Sequence, residues 1–344
     1  RSLVGSEMCI RDSFGSGKSH FLKILSYLLS NQEVCGKRAI DYFADKFDDP
    51  MMYAQAVKSV SVPTQSILFN IDIEGPLTKD KTAVLRVFAK MFYNHCGFYG
   101  DDLKIAKLER FIEKQGKTQQ FREAFEKVNG APWTETRDSF AFFEDDIVSV
   151  LQSTLGMSEQ AARNWFNGEE TNELSIAQLV ADIQEYVDGK GKDFRLLFMV
   201  DEVGQYIGDD GDLMINLQSL VEEIGIRCHG KVWVMVTSQE AIDSVVHITG
   251  NDFSKIQGRF NTRLSLSSSS VDEVIKKRVL AKTDAADQLL RMVYDKEHAV
   301  LKNLYTFNNP VLDIKGFTDG AEFSATFPFV PYQFCLLYTS PSPR

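Results

Sequence analysis

The stretch FGSGKSH, residues 14–20, decides the fold, because a Gly-Lys-Ser run that opens directly into a helix is typical of a phosphate-binding loop. Apolar residues recur at helical spacing in the following HFLKILSYLL, and Asn31 offers a stop for that helix. Glycines in such a loop let backbone N–H groups and the helix N-terminus point at phosphate oxygens. The stretch therefore predicts a site for the phosphates of a nucleotide.

The chemistry of this loop assigns a role to each of its polar groups. Lys18 would reach the terminal phosphates as a point charge, and the Ser19 hydroxyl would help hold Mg²⁺. The alternative is a glycine-serine linker ahead of an amphipathic helix. The predicted nucleotide-binding residues are Gly15, Ser16, Gly17, Lys18, Ser19 and His20.

One residue departs from the loop pattern G-x-x-x-x-G-K-[ST], whose first glycine falls on Asp12. Codons can be chosen for residues 335–344 such that the opposite DNA strand, in another frame, encodes residues 4–12. We interpret residues 1–13 and 335–344 as translations of one DNA adapter read in opposite orientations. We therefore expect the strand that normally feeds the loop to be missing, and the authentic sequence to run from Phe14 to Phe334 inside a longer protein.

A second signal lies downstream, where FRLLFMV predicts a buried strand that ends in Asp201 and Glu202. Open parallel sheets bind ligands at the carboxyl ends of their strands. Asp201 is the candidate partner of the magnesium shell, and Glu202 is the candidate to activate an attacking water. Such an acidic pair is more typical of nucleotide hydrolysis than of transfer to a small molecule. The alternative is a helix-capping Asp beside a solvated Glu.

Four further residues are candidates for the catalytic machinery. Thr237 and Ser238 end the next apolar strand, where they could sense the terminal phosphate or position water. Both residue types are also common where a strand meets a loop. Arg259 and Arg263 could act as an arginine finger on the nucleotide of a neighbouring subunit, which would make the protein a homo-oligomer. A surface role for either arginine is the alternative.

The order of strands and helices predicts an α/β fold with a parallel sheet covered by helices on both faces. The segment QSILFNIDIEGP predicts a strand over residues 66–73 that is apolar enough to be central. Residues 80–192 are mostly helical by pattern. An insert of that size between two strands predicts a helical lid or subdomain rather than a simple crossover.

Composition limits the possible partners. The net charge of -10 argues against binding nucleic acid through bulk electrostatics, although a local basic face stays possible. The five cysteines form no C-x-x-C pair, which favours reduced thiols in a cytosolic protein. No apolar run reaches the length of about 18 residues that a membrane-spanning helix needs. We expect no membrane partner.

The segments GSGKSHFLKILSYLL, FMVDEVGQYIGDD, VWVMVTSQEAID and PFVPYQF together resemble the large P-loop ATPase of bacterial BREX phage-defence systems, the BrxC family. The resemblance implies an AAA-like P-loop NTPase core with a large helical insertion, using ATP and Mg²⁺ in the cytoplasm. It also implies work with other BREX proteins that mark host DNA by methylation and block phage replication. By this resemblance, Gly15, Gly17, Lys18 and Ser19 bind nucleotide, and Asp201 and Glu202 serve hydrolysis.

The departure from the family pattern at Asp12 and Ser13 puts nucleotide binding by this polypeptide in question. Two other functions stay open, a non-catalytic scaffold gated by nucleotide and a DNA-translocating motor of another P-loop family. The predicted divisions are residues 1–13 and 335–344 as adapter translations, 14–79 and 193–282 as the two parts of the ATPase core, 80–192 as the helical insertion, and 283–334 as the start of a following helical region.

Overall fold

A computed structural model of the chain describes residues 7–11, 17–76, 79–168, 174–208, 210–238, 262–265, 275–304 and 316–334. Three strands of seven residues form the centre of its sheet, namely β2 (Thr64–Asn70), β3 (Arg195–Asp201) and β4 (Val232–Ser238). Two shorter strands, β1 (Glu7–Arg11) and β5 (Thr262–Ser265), extend it beyond β4. The order is β2-β3-β4-β1-β5, and every neighbouring pair is parallel. The protein is therefore an α/β protein with a parallel sheet.

The presence of β1 contradicts the expectation that the strand feeding the loop is missing. Glu7–Arg11 pairs with β4 on one side and with β5 on the other, and Arg11 is in register with Ser238 and Ser265. The physical reason is that the segment supplies five extended residues. Their backbone N–H and C=O groups can pair with a parallel strand on each side, whatever their side chains.

The helices of the first part of the chain follow the strands in alternation. Many begin at a side chain that accepts backbone N–H groups, as Asp102 and Ser175 do. The described α-helices are α1 (Lys18–Ser30), α2 (Pro50–Val60), α3 (Ile71–Glu74), α4 (Ala83–His95), α5 (Leu103–Lys114), α6 (Thr118–Asn129), α7 (Trp133–Thr136), α8 (Glu144–Leu155), α9 (Glu159–Asn167), α10 (Ile176–Gly189), α11 (Val203–Ile207), α12 (Gly211–Arg227), α13 (Asp284–Leu304) and α14 (Gly320–Thr326).

Shorter elements complete the described chain. Two 3₁₀ helices span Ala39–Lys46 and Arg137–Phe142, and a π-helix spans Ile275–Val279. A small antiparallel hairpin joins Glu33–Val34 to Lys37–Arg38.

Alternate residues of β3 and β4 face two different helical layers. Leu197, Met199 and Met235 pack with Leu22 of α1 on one face. On the other face, the main core joins strand residues to α4, α10 and α12, for example through the rings of Phe88 and Phe198, whose centroids lie 5.3 Å apart. The predicted coverage of the sheet by helices on both faces is thus confirmed.

The helices between β2 and β3 divide into two groups. Helices α4 and α10 contribute to the main core against the sheet. Helices α5 to α9 build a second core around Trp133, whose ring packs edge-on against Phe121 and Phe125. A buried network joins the groups, because Asp182 of α10 accepts a hydrogen bond from Tyr93 Oη at 2.7 Å and pairs with Arg110 of α5. Burial raises the pKa of Tyr93 well above its usual range.

The predicted central strand over residues 66–73 is wrong in two respects. The strand spans Thr64–Asn70 and lies at the edge of the sheet, beside β3. Asn70 ends it because its side chain accepts the N–H groups of Asp72 at 2.9 Å and Ile73 at 3.3 Å, which begins α3. The apolar alternation continues through Ile71 and Ile73, but those residues belong to the helix.

The chain divides into two compact units, residues 1–266 and 267–344. In the second unit, Phe323 of α14 packs against Phe317 and against Tyr294 of α13. The domain boundaries predicted from the sequence stay predictions. Among the described residues, no helix combines the length and apolar character that a membrane crossing requires.

Candidate functional site

The carboxyl ends of the five strands meet at one edge of the sheet. Asn70 is in register with Asp201 on the neighbouring strand, and Arg11 is in register with Ser238 and Ser265. The loop that follows β1 therefore begins at the same edge as the acidic end of β3. This is the edge at which open parallel sheets bind their ligands.

The described end of the loop leads into α1. Gly17 caps the helix with a φ of 82°, a left-handed backbone that favours glycine, and its carbonyl accepts the N–H of Phe21 at 2.8 Å. Lys18 is buried, whereas Ser19 and His20 are exposed. Gly15 and Ser16 lie outside the described residues.

The N-terminus of α1 is capped by a glycine. Gly17 has no side chain that could accept the backbone N–H groups of the first turn. Helix N-termini also carry a partial positive charge that attracts phosphate.

Asp201 is held in place by its neighbours at the end of β3. Its Oδ1 accepts the hydroxyl hydrogen of Thr237 and the backbone N–H of Glu202 at 3.2 Å. The same N–H donates to Thr237 Oγ1 at 2.9 Å. Thr237 is 1% exposed, so its hydroxyl contacts Asp201 and Glu202 from the interior of the protein. The carboxylate of Asp201 is thereby fixed in orientation while it stays partly exposed.

Glu202 lies at the bend that directly follows β3. Its φ of 62° is in the left-handed region, which is uncommon for a residue with a side chain. Its carboxylate accepts a hydrogen bond from the side-chain amide of Asn70 at 3.1 Å. An amide that donates to a carboxylate orients it without neutralising its charge.

Asn70 is the site residue that sequence reasoning missed. The only signal was an asparagine at the end of the apolar run ILFN, and asparagine is common wherever a strand ends. The register between β2 and β3 brings it to the acidic pair, and register is not visible in the chain itself.

Ser238, the last residue of β4, packs against α11, the short helix that follows Glu202. It is 1% exposed, and a Cβ atom added to Gly204 would lie 2.0 Å from its Oγ. Only a glycine allows α11 to approach β4 this closely. Ser238 thus packs under α11 in this structure rather than on an open surface.

The predicted arginines stay predictions. Arg259 lies outside the described residues, and Arg263 lies in β5 in register with Cys9, with its side chain outside the described part.

Two of the predicted residues carry oxygen donors of the kind that a magnesium ion takes when it is bound with a nucleotide. Mg²⁺ usually takes one or two carboxylates, waters and substrate phosphates rather than a cage of protein ligands. Asp201 offers an oriented carboxylate, and Ser19 offers an exposed hydroxyl in the first turn of α1. Within the described ranges, no group of three or more His, Cys, Asp or Glu residues could hold a metal ion.

The chain matches no model of a protein family, and no solved structure matches it.

Proposed function

We propose that the site binds ATP with Mg²⁺ and hydrolyses it. The observation that carries this proposal is the oriented acidic pair at the carboxyl edge of the sheet, with Asp201 held by Thr237 and Glu202 held by Asn70. The loop that opens into α1 starts from the same edge. An anion site and an oriented carboxylate pair are the two parts that phosphoryl transfer to water requires.

The first part would bind the phosphates. Backbone N–H groups of the glycine-rich loop and the first turn of α1 would contact the phosphate oxygens, and Lys18 would neutralise the terminal ones. Ser19 and Asp201 would hold Mg²⁺, which when bound draws charge from the phosphate oxygens as a Lewis acid.

The second part would activate water. Glu202 would accept a proton from the attacking water while the Asn70 amide holds the carboxylate in a fixed direction. Fixing that direction before the reaction lowers the cost of reaching the reactive geometry.

We further propose that this activity serves a BREX-type phage-defence complex in the cytoplasm, together with other BREX proteins and, through them, DNA. The support is the resemblance of the loop, the acidic strand and PFVPYQF to that family's ATPase. Co-expression with the remaining BREX proteins would test it, and copurification that depends on ATP is the expected result.

The ATPase proposal is tested by measuring ATP binding and phosphate release in parallel. The Asp12→Gly variant restores the glycine of the loop pattern and removes a negative charge, so we expect it to bind ATP more tightly than the original chain. Lys18→Ala in that variant should abolish binding. Binding without release would favour a nucleotide-gated scaffold, and release that requires DNA would favour a translocating motor.

A further inference from the structure

Lys79 contacts α11, the short helix that follows the proposed base Glu202. Its Nζ donates a hydrogen bond to the backbone carbonyl of Tyr206 at 2.8 Å and lies 4.1 Å from the centroid of the Tyr206 ring. Among the described residues, the carboxylate of Asp72 lies 3.9 Å from the same Nζ. The ammonium group therefore satisfies a carbonyl in the last turn of α11, which the helix leaves without an internal partner.

The same residue of α11 bonds directly to the proposed base. The backbone N–H of Tyr206 donates to the carbonyl of Glu202 at 3.0 Å. Tyr206 is 2% exposed, and its hydroxyl has no hydrogen-bond partner in the described part of the chain. Its position therefore depends on ring packing and on its two backbone bonds, one to Glu202 and one from Lys79.

Two residues that follow one another closely along the chain, Asn70 and Lys79, contact Glu202 and α11 respectively. Asn70 donates to the Glu202 carboxylate, and Lys79 donates to the Tyr206 carbonyl. Between them, Gly75 lies so close that an added Cβ would come within 2.6 Å of the Tyr206 ring. Asn70 thus contacts the Glu202 carboxylate. Lys79 contacts Tyr206, the residue whose backbone N–H bonds to the Glu202 carbonyl.

We propose that Lys79 is a positioning residue that sets the orientation of Glu202 through Tyr206. Lys79 lies shortly before α4 (Ala83–His95), at whose start the N–H of Ala83 donates to the carbonyl of Asp80 at 2.9 Å. The inference rests on the proposed hydrolysis by Glu202. It adds that the exposed lysine just before the helical insertion contacts the helix that follows the proposed base.

A purely structural role makes a different prediction. If Lys79 only caps α11, its loss lowers stability and leaves turnover by the folded protein unchanged. If it positions Glu202, its loss lowers kcat, leaves ATP affinity unchanged, and has no effect once Glu202 cannot act as a base. Lys79 is 38% exposed at its side chain, so its replacement is compatible with folding.

The kinetic test compares kcat, KM and the unfolding midpoint of Lys79→Ala, Lys79→Arg and Lys81→Ala, all in the Asp12→Gly chain. Lys81 is an exposed lysine two residues away and is the matched control. We expect kcat to fall about tenfold in Lys79→Ala, to recover largely in Lys79→Arg, and to stay unchanged in Lys81→Ala. In the Glu202→Gln background, Lys79→Ala should cause no further loss. An unchanged kcat, or an equal loss in both backgrounds, would overturn the inference.

Hydrogen exchange gives a second readout that does not require hydrolysis. Lys79→Ala should speed amide exchange in residues 202–208 severalfold, whereas Lys81→Ala should not. Equal exchange in all variants contradicts the positioning role. A parent chain that releases no phosphate while this exchange difference is present contradicts the proposed hydrolysis instead.

Discussion

The side-chain amide of Asn70 donates a hydrogen bond to the carboxylate of Glu202 at 3.1 Å, although 132 residues separate the two along the chain. The carbonyl oxygen of the same amide accepts the N–H groups that begin α3. One side chain thus connects the edge strand, the helix after it and the candidate base.

Replacing Asn70 with aspartate separates these two roles. An aspartate keeps the acceptor that caps α3 but loses the donor to Glu202 and places a second negative charge beside it. A hydrogen bond to a charged group contributes about 1.5–3 kcal/mol, so we expect turnover to fall roughly tenfold to a hundredfold.

A stopped assay of phosphate release at saturating ATP, with ATP binding measured on the same sample, would record this fall. Asn70→Ala is the control that loses the cap as well, and should unfold at a lower temperature than Asn70→Asp. Turnover by Asn70→Asp equal to that of the parent chain would show that the Asn70 amide does not position Glu202.

The close approach of Gly204 to Ser238 predicts a loss of stability on adding one methyl group. Gly204→Ala would bring a Cβ to 2.0 Å from Ser238 Oγ and 3.0 Å from its Cβ, so α11 must move away from β4. We expect a loss of about 1–3 kcal/mol in the free energy of unfolding. Gly189→Ala, at a helical glycine with open space around it, should cause no loss and gain up to about 1 kcal/mol. Urea unfolding of both variants checks this, and equal midpoints would contradict the packing described for α11.

The described cysteines should differ in reactivity. Cys35 is exposed, whereas burial raises the pKa of Cys96 and of Cys228 to about 12, from an ordinary value of 9.0. Thiolates are the reactive form, so an alkylating reagent at neutral pH should label Cys35 first. Peptide mass spectrometry would follow each site, and labelling of Cys96 as fast as Cys35 would contradict the burial.

The raised pKa values of Cys96 and Cys228 also give stability a pH dependence. The folded chain keeps them protonated at a pH where the unfolded chain ionises them. Their contribution is therefore complete below pH 9.0 and is lost as the pH rises toward about 12. Cys228→Ala should show a smaller alkaline loss than the parent chain.

Local pattern predicted the elements that carry most of the candidate site. The helix after the loop was expected from apolar spacing and ends at Asn31, whose φ of 43° suits an asparagine at a helix end. The buried strand before Asp201 was expected from its uninterrupted apolar run. In both cases the signal lies within about ten consecutive residues, which is the range over which periodicity acts.

Relationships between distant segments could not be predicted in this way. The pairing of Asn70 with Glu202 arises from sheet register, and the contact of Lys79 with Tyr206 arises from the path of the chain after α3. Apolar spacing showed that the insertion is helical, but not that α4 and α10 cover the sheet while α5 to α9 form a core of their own. A helical face is visible in the sequence, whereas the element that covers it is not.

The most direct test of the central claim is ATP turnover by Glu202→Gln in the Asp12→Gly chain, with ATP binding measured on the same sample. Glutamine keeps the size of the side chain and an acceptor for Asn70, but it cannot take a proton from water. The account predicts unchanged ATP binding and a fall in phosphate release of about 10²–10⁴-fold. Unchanged phosphate release with ATP still bound would show that Glu202 does not activate the water.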